Sequence, residues 1–405
     1  MRILFLLQDF PCPPTTGINR KVYSLLSGLA ARGCDCDVLC FGVPGAAARV
    51  PAFEAAIPGV KVLRVVPLPS GTGGIVKKLL SLLRGLPPSL GGFSSAEFRA
   101  ALLEAGESKS YDAVHYDVIN MAQYLPWGPA APSVLSSNDA ISLFYERMIK
   151  ESPGVLRRLY LLVSKHLIAR YEKKVYPEFD RVHVVSEQDS AHLKKLCPGL
   201  VVEVIPIAAD NSFLEYITPG ALSGGKLLRV LFTGNLDIQG IANGLFDFLE
   251  NACGTVIAGS APFEFYVLGP KASVEDESRI AAFPGVKYFR WVEDYGSFVA
   301  GADILLSLDK SGTGIKTRVL DAMALGKPVI GTSIAFGGIE GENGKHFFVR
   351  NSPAETAAAL KLLLGDRALR EKAGKAARDL VLAKYSMAVV GPKWEALYAG
   401  LKRNP

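Results

Sequence analysis

Residues 311–321 read SGTGIKTRVLD, a stretch whose glycines, lysine, threonine and aspartate are spaced for anion chemistry. If KTRVLDAMAL is a helix, the amides of Gly314, Ile315, Lys316 and Thr317 lie at its amino end, where unpaired N–H groups and the helix dipole attract phosphate. Small residues let an anion approach the backbone, and Lys316 adds a full charge. Asp321 follows Thr317 by one turn on the same face, placed to accept hydrogen bonds from sugar hydroxyls held beside the phosphates. The segment is not a Walker loop, because the glycine before Lys-Thr is missing. Nor is it the dinucleotide fingerprint, which follows a first strand and needs a third glycine. Taken alone it reads equally well as a glycine turn with a solvated lysine.

Two further loops shift that balance. TGINR at 16–20 lies between the strand-like RILFLL and a helical run, so Gly17 brings flexible backbone to a strand end. FTGN at 232–235 places Gly234 and Asn235 in the same position after a later strand. Such loops need strands and helices to carry them, and the chain supplies both in alternation. RILFLL, CDVLCFG, KVLRVVPL, YDAVHYD, PSVLSS, RVHVVS and VVEVIPI are separated by longer helix-period segments, the rhythm of a parallel sheet with crossover helices. After a polar patch at 218–226 the rhythm restarts with LRVLFTG, FEFYVLG, VKYFRW, ADILLSL and PVIGT. The expectation is an α/β fold of two doubly wound domains in tandem, joined near residues 205–213 and facing a cleft into which the three loops converge. Near the C-terminus, Trp394, Leu397, Tyr398 and Leu401 form one apolar stripe after Pro392, which needs a surface to pack on.

With 405 residues, 49% hydrophobic, the chain has material for two ordinary cores. No window approaches the roughly 20 unbroken apolar residues of a spanning helix, and MRILFLL is too short and too soon followed by Asp9 to be a signal peptide. A cytoplasmic protein is expected. Cys34, Cys36 and Cys40 share one strand face without a nearby histidine, which favours packing over metal binding. Asp35-Cys36-Asp37 falls at a strand start and reads as a strand-edge feature, so no metal site is expected. The formal charge is +6, and about +5 of it falls in residues 1–207. That excess does not by itself indicate nucleic acid. Leucine-rich basic segments at 74–86 and 156–174 fit either helices covering a sheet or peripheral contact with an anionic membrane.

Together these segments resemble the glycosyltransferase family 4 enzymes of the GT-B fold, especially the exopolysaccharide sugar transferases. The resemblance runs from the Gly17 loop and a helix ending LAARG through YDAVHYDVINMAQYLP, VSEQDSAHL, IPIAAD, LFTGNLD, FYVLGP, VKYFRWVEDYGSFVAGADILLSL and GTGIKTRVLDAMALGKPVIGT to KYSM. It implies two Rossmann-like domains, 1–205 on the acceptor side and 206–385 on the donor side, with a final helix in 386–405 crossing back to the first. It also implies retaining transfer of a sugar from a nucleotide-diphosphate sugar, as co-substrate, to a saccharide or lipid-linked acceptor, with no cofactor and no essential metal. Gly17 and Gly234 would approach the diphosphate, and Gly314, Ile315, Lys316 and Thr317 would hold its oxygens. Asp321 stands where the family has a ribose-binding glutamate, and Trp291 and Val292 match the segment that meets the nucleobase.

The sequence also departs from the family. Thr313 replaces the glutamate that usually contacts the donor sugar, and no Arg or Lys follows the FTG strand, so Lys316 with Arg318 would supply that charge. Where the family has a histidine pattern near the sugar, HYD offers His115, which alternates inward as a core histidine would, and Asp117, nearer the strand end. Asp139, in SSND, is either an acceptor-side candidate or a helix N-cap. A noncatalytic nucleotide-sugar-binding protein and a dinucleotide-dependent oxidoreductase are the competing readings.

Overall fold

The computed structural model describes all residues except 15–16, 69–70, 153, 216–226 and 402–405, and among those described thirteen strands form two parallel sheets. The polar patch expected at 218–226 lies outside the described residues, as does Thr16 of the first glycine loop. The first sheet contains β1 (Arg2–Leu7), β2 (Asp35–Gly42), β3 (Val60–Pro67), β4 (Ala113–Asp117), β5 (Ser133–Asn138), β6 (Arg181–Val184) and β7 (Val202–Val204). The second contains β8 (Leu228–Thr233), β9 (Phe263–Leu268), β10 (Val286–Phe289), β11 (Ile304–Ser307), β12 (Val329–Gly331) and β13 (Phe348–Val349). Their spatial orders are β3-β2-β1-β4-β5-β6-β7 and β10-β9-β8-β11-β12-β13. Each sheet therefore reverses its winding once, between β1 and β4 and between β8 and β11. Doubly wound sheets bind ligands beyond the strand ends at such reversals.

Burial explains why these runs are strands. In the first sheet Ile3, Phe5 and Leu7 join Val38 and Val134 in one apolar cluster, while the alternating Leu4 and Leu6 join Leu39, Val114 and Leu135 in another. Period two thus fills both faces, which only a sheet covered on both sides allows. Cys34, Cys36 and Cys40 are buried free thiols in the first of those clusters. Asp37 accepts from Lys109 Nζ at 2.7 Å and from Tyr111 Oη at 3.1 Å, while Asp35 pairs with Arg2 at 3.4 Å.

The chain divides into one unit of Met1–Ile149, Pro153–Ala208 and Met387–Pro405 and another of Lys150–Ser152 and Ala209–Ser386. Within the first unit the helix Met387–Ala399 lays Val390, Trp394, Leu397 and Tyr398 into the cluster that holds Ile3, Phe5, Val22, Leu25 and Leu26. The sequence suggested a helix only after Pro392. The helix in fact begins at Met387 and contains Pro392 in its second turn, where the ring forgoes one i→i−4 hydrogen bond. No helix of the described residues is long and apolar enough to cross a membrane.

Candidate functional site

Each unit carries polar side chains at the carboxyl ends of its central strands. In the second unit, β11 ends at Ser307 and runs into the glycine loop, and the helix Thr317–Ala324 follows. Gly314 has φ 61° and Gly312 φ 138°, backbone that a side chain would strain. The N-cap position is Lys316, which makes no side-chain cap, while Val319 and Leu320 N–H already bond to the Lys316 carbonyl. Lys316 turns its ammonium onto the loop itself, donating to the carbonyls of Thr313 at 2.6 Å and Gly314 at 3.0 Å.

Asp309, which the sequence reading passed over, organises this loop. It is 1% exposed, accepts from Ser307 Oγ at 2.7 Å and pairs with Arg318. Burial pushes its carboxyl upward, but the charges of Arg318 and Lys316 outweigh that and hold it below the usual range. One carboxylate thus stands against two cations, leaving the loop net positive. Thr332 Oγ1 donates to the Asp309 carbonyl at 2.6 Å and ties the loop to the end of β12.

The helix Gln239–Phe248 supports the loop from below. A Cβ on Gly244 would strike the Leu308 carbonyl, and one on Gly240 would strike Ser311. The two glycines, four apart, give this helix a bare strip on which backbone lies directly against backbone.

The structure places the remaining donor candidates as follows. Gly234 follows β8, with its N–H on the Leu268 carbonyl at 3.1 Å and Ile241 packed where a Cβ would stand. Asn235 accepts from the Asp237 N–H at 3.1 Å through Oδ1. Ile315 is buried, and Thr313, Thr317 and Arg318 are half-buried. Asp321 is buried, as are Val319 to Ala324 around it. Trp291, two residues beyond β10, is 73% exposed, and Val292 beside it is half-buried.

In the first unit Gly17 opens the helix Gly17–Ala30, which follows β1. His115 and Asp117 lie on the sheet face covered by this helix and by Met387–Ala399. Parallel register sets Asp117 beside Ser136 and Ser136 beside His183 on the next strand, a polar row across β4, β5 and β6. Lys21 closes over it, its ammonium 2.6 Å from Asp117 Oδ1, 2.6 Å from Asn138 Oδ1 and 3.1 Å from Ser136 Oγ. His183 Nε2 donates to the Ile205 carbonyl at 2.8 Å, which leaves Nδ1 to accept from Ser136 Oγ at 3.0 Å. Burial, with help from the Lys21 charge, lowers the His183 pKa to about 3, so this ring is neutral. His115 Nδ1 meets Tyr398 Oη at 2.7 Å, and its Nε2 is 3.8 Å from Asp117 Oδ1.

Lys21, Asn138 and His183 escaped sequence reasoning. A lysine in the second turn of a helix ordinarily reads as solvated, and here it is 7% exposed. Burial raises the Asp117 carboxyl, Lys21 and His115 lower it, and the net position is below the usual range. Val118, the next residue, has φ 61°, and Asn138 has φ 67°. A β-branched residue in that region is strained, so the end of β4 stores strain beside the ion pair. The cavity bordered by Lys21, His183 and Trp394 is about 10 Å³, too small for a sugar. Asp139 follows β5 in a turn, half-buried, where its carbonyl accepts from Ser137 Oγ at 2.8 Å.

Residues 16–208 match a family described as glycosyl transferase 4-like domain, and residues 228–366 match glycosyl transferases group 1. None of the curated proteins matches the sequence. Among solved structures the chain is similar to a sucrose-phosphate synthase from Thermosynechococcus elongatus, at TM-score 0.70 and 17% identity over 99% of both chains. It is similar to Anabaena HepE in complex with UDP and glucose, at TM-score 0.65 and 16% identity over 99% of this chain and 100% of that one. It is also similar to WaaG, a glycosyltransferase involved in lipopolysaccharide biosynthesis, at TM-score 0.65 and 16% identity over 98% and 100%. Those three likenesses establish the GT-B fold, and with a glycosyltransferase domain matched in each half the chain belongs to the glycosyltransferases, its first domain of the transferase 4-like kind and its second of group 1.

Proposed function

We propose that the protein transfers a sugar from a nucleotide-diphosphate donor to an acceptor hydroxyl, with retention at the anomeric carbon and without a divalent metal. The observation that carries this reading is the helix end at Lys316, which the Lys316 side chain does not cap, set beyond β11 at the winding reversal of its sheet, with Lys316 and Arg318 outnumbering Asp309. In the reaction the bond from the anomeric carbon to the diphosphate breaks, the acceptor oxygen bonds to that carbon, and the acceptor proton leaves with the diphosphate. Charge therefore develops on the departing phosphate oxygens. Amides already oriented at a helix end, with Lys316 moved from its carbonyls onto those oxygens, stabilise that charge as it forms. They supply what a divalent cation would otherwise bring.

Gly234 and Asn235 border the same strand-end region, and Trp291 with Val292 offers an exposed surface for the base. Thr313 takes the place nearest the donor sugar, and Asp321 would reach the ribose only after a shift from its buried position. Asp117 and His115, the first-unit candidates for the reacting end of the donor, are buried under Lys21 and Tyr398 and would meet it only after those contacts open, and Asp139 is the acceptor-side candidate. The acceptor would be a saccharide or lipid-linked sugar, used in polysaccharide or glycolipid synthesis at the cytoplasmic side of a membrane. The likeness to WaaG, a glycosyltransferase involved in lipopolysaccharide biosynthesis, supports the acceptor class, and the likeness to HepE in complex with UDP and glucose supports the donor class.

The test is a thermal-shift panel of nucleoside diphosphates and nucleotide sugars, with and without magnesium, followed by turnover across acceptors. One nucleotide should raise the melting temperature equally under both conditions, and Lys316→Ala should abolish the rise and slow turnover about 100-fold or more. No nucleotide response, or full turnover by Lys316→Ala, would overturn the placement of the diphosphate. Binding without transfer to any acceptor would turn the reading toward a noncatalytic binder.

A further inference from the structure

The helix Gly71–Leu83 of the first unit is built inside out. Its inward contacts are small or polar: Gly74 and Ser81 are buried, and Gly91 of the following short helix Pro88–Gly92 lies against the Lys77 carbonyl with no room for a Cβ. Its outward arc is apolar throughout, with Ile75 (69% exposed), Val76, Leu79, Leu80, Leu82 and Leu83 (76% exposed). A helix covering a soluble core puts those residues the other way round. The exposed cations beside them are Lys78 and Arg84, and residues 71–92 contain no Asp or Glu. The same unit repeats this composition at the start of the helix Val155–Val175, where Val155, Leu156, Leu159 and Tyr160 are exposed around Arg157 and Arg158. The single acidic residue of that helix, Glu172, is fully buried.

We infer that the outward face of Gly71–Leu83 docks on a bilayer surface carrying anionic lipid. Leucines on one arc with cations at its margins and no carboxylate match a surface that is apolar inside and negative at its headgroups. A lipid surface also asks for no shape complementarity, which suits a row of exposed leucines along one arc. Docking here is separate from donor binding, because every residue involved lies outside the loops that would hold the diphosphate.

Cosedimentation of the full chain with vesicles tests it. The wild type should pellet with equimolar phosphatidylcholine and phosphatidylglycerol, remain in the supernatant with phosphatidylcholine alone, and be released by salt. Leu79→Ser/Leu83→Ser should lower partitioning by about tenfold or more while keeping the wild-type melting temperature, since both side chains are solvent-facing. Three results would overturn the inference: no pelleting of the wild type with anionic vesicles, equal pelleting of the double variant, or a wild-type dimer in size-exclusion chromatography that the double variant converts to monomer. In each case the nucleotide response of both proteins reads the donor site separately, so loss of one proposal leaves the other standing.

Discussion

At the scale of single residues, the first unit's polar row is governed by the cost of burying charge. Lys21 and Asp117 are both nearly excluded from solvent, and each is tolerable only because the other is 2.6 Å away. Lys21→Met should leave the Asp117 charge uncompensated and destabilise the protein by about 3–5 kcal/mol, whereas Lys21→Met/Asp117→Asn should recover most of that loss. Acid provides a second check. The folded Asp117 titrates below its unfolded value of 3.8, so its contribution is present above that pH and is lost as pH falls through the folded value. The gap between wild type and Lys21→Met should accordingly narrow in two stages as pH falls. Above 3.8 the variant's stranded carboxylate, raised by burial once Lys21 is gone, takes up its proton, and below 3.8 the wild type loses the contribution of its lowered Asp117. Denaturant titrations of the three proteins between neutral pH and pH 3 measure both effects, and an unchanged gap across that range would deny the pairing its energetic role. Asp117 was visible in the sequence as a polar residue near a strand end. Its partner was not, because nothing in RKVYSLL distinguishes a lysine that points inward from one that points to water.

At the scale of elements, the donor loop owes its position to the missing side chains of the helix beneath it. Gly240 and Gly244 let the helix Gln239–Phe248 touch the backbone of Leu308 and Ser311 directly. Ala is favoured over Gly in a helix by about 1 kcal/mol, so by propensity alone Gly244→Ala would stabilise. Contact with a backbone carbonyl cannot be relieved by rotating a side chain, and displacement of packed elements costs about 1–3 kcal/mol. The clash wins. Gly244→Ala should lower the melting temperature and weaken the nucleotide response by moving Leu308 and the loop beyond it. Gly254→Ala, with open space around the new methyl, should do neither. Equal melting temperatures for the two variants would show that the helix and loop are loosely coupled.

The same elements show what could be read without coordinates. Period-two burial on both faces marked β1, β2, β4 and β8, because long apolar runs flanked by turns leave few alternatives. β13 has only two residues, Phe348–Val349, and no period exists over so short a length. The loop at 311–317 was legible from its glycines and lysine. Asp309 was hidden inside LSLDK, where it read as the polar end of a strand, and the support under the loop was hidden in NGLF, because a glycine needed for close approach looks like any other glycine until its neighbour is known.

At the scale of the molecule, the connectivity makes the first unit discontinuous, since its last helix is synthesised after the whole second sheet. The apolar stripe of Trp394, Leu397 and Tyr398 was visible as a surface in need of a partner, and that partner is the cluster around Val22, Leu25 and Leu26, with Tyr398 also meeting His115. Two opposing effects decide whether residues 1–208 can fold without it. Seven strands and two apolar clusters favour folding, but omission of the tail uncovers the face that holds a buried charge pair and two buried histidines. Each large aromatic lost from a packed site costs about 3–5 kcal/mol, and Trp394 and Tyr398 are removed together, which approaches the whole stability of an ordinary domain. The fragment 1–208 should therefore lack a cooperative thermal transition, while the same fragment joined through a flexible linker to residues 387–405 should regain one. Circular dichroism melts of the two fragments decide the matter: a sharp transition in 1–208 alone would mean that the returning helix is an addition to a unit already complete, and its aromatic contacts with His115 and His183 would then be explained by something other than stability.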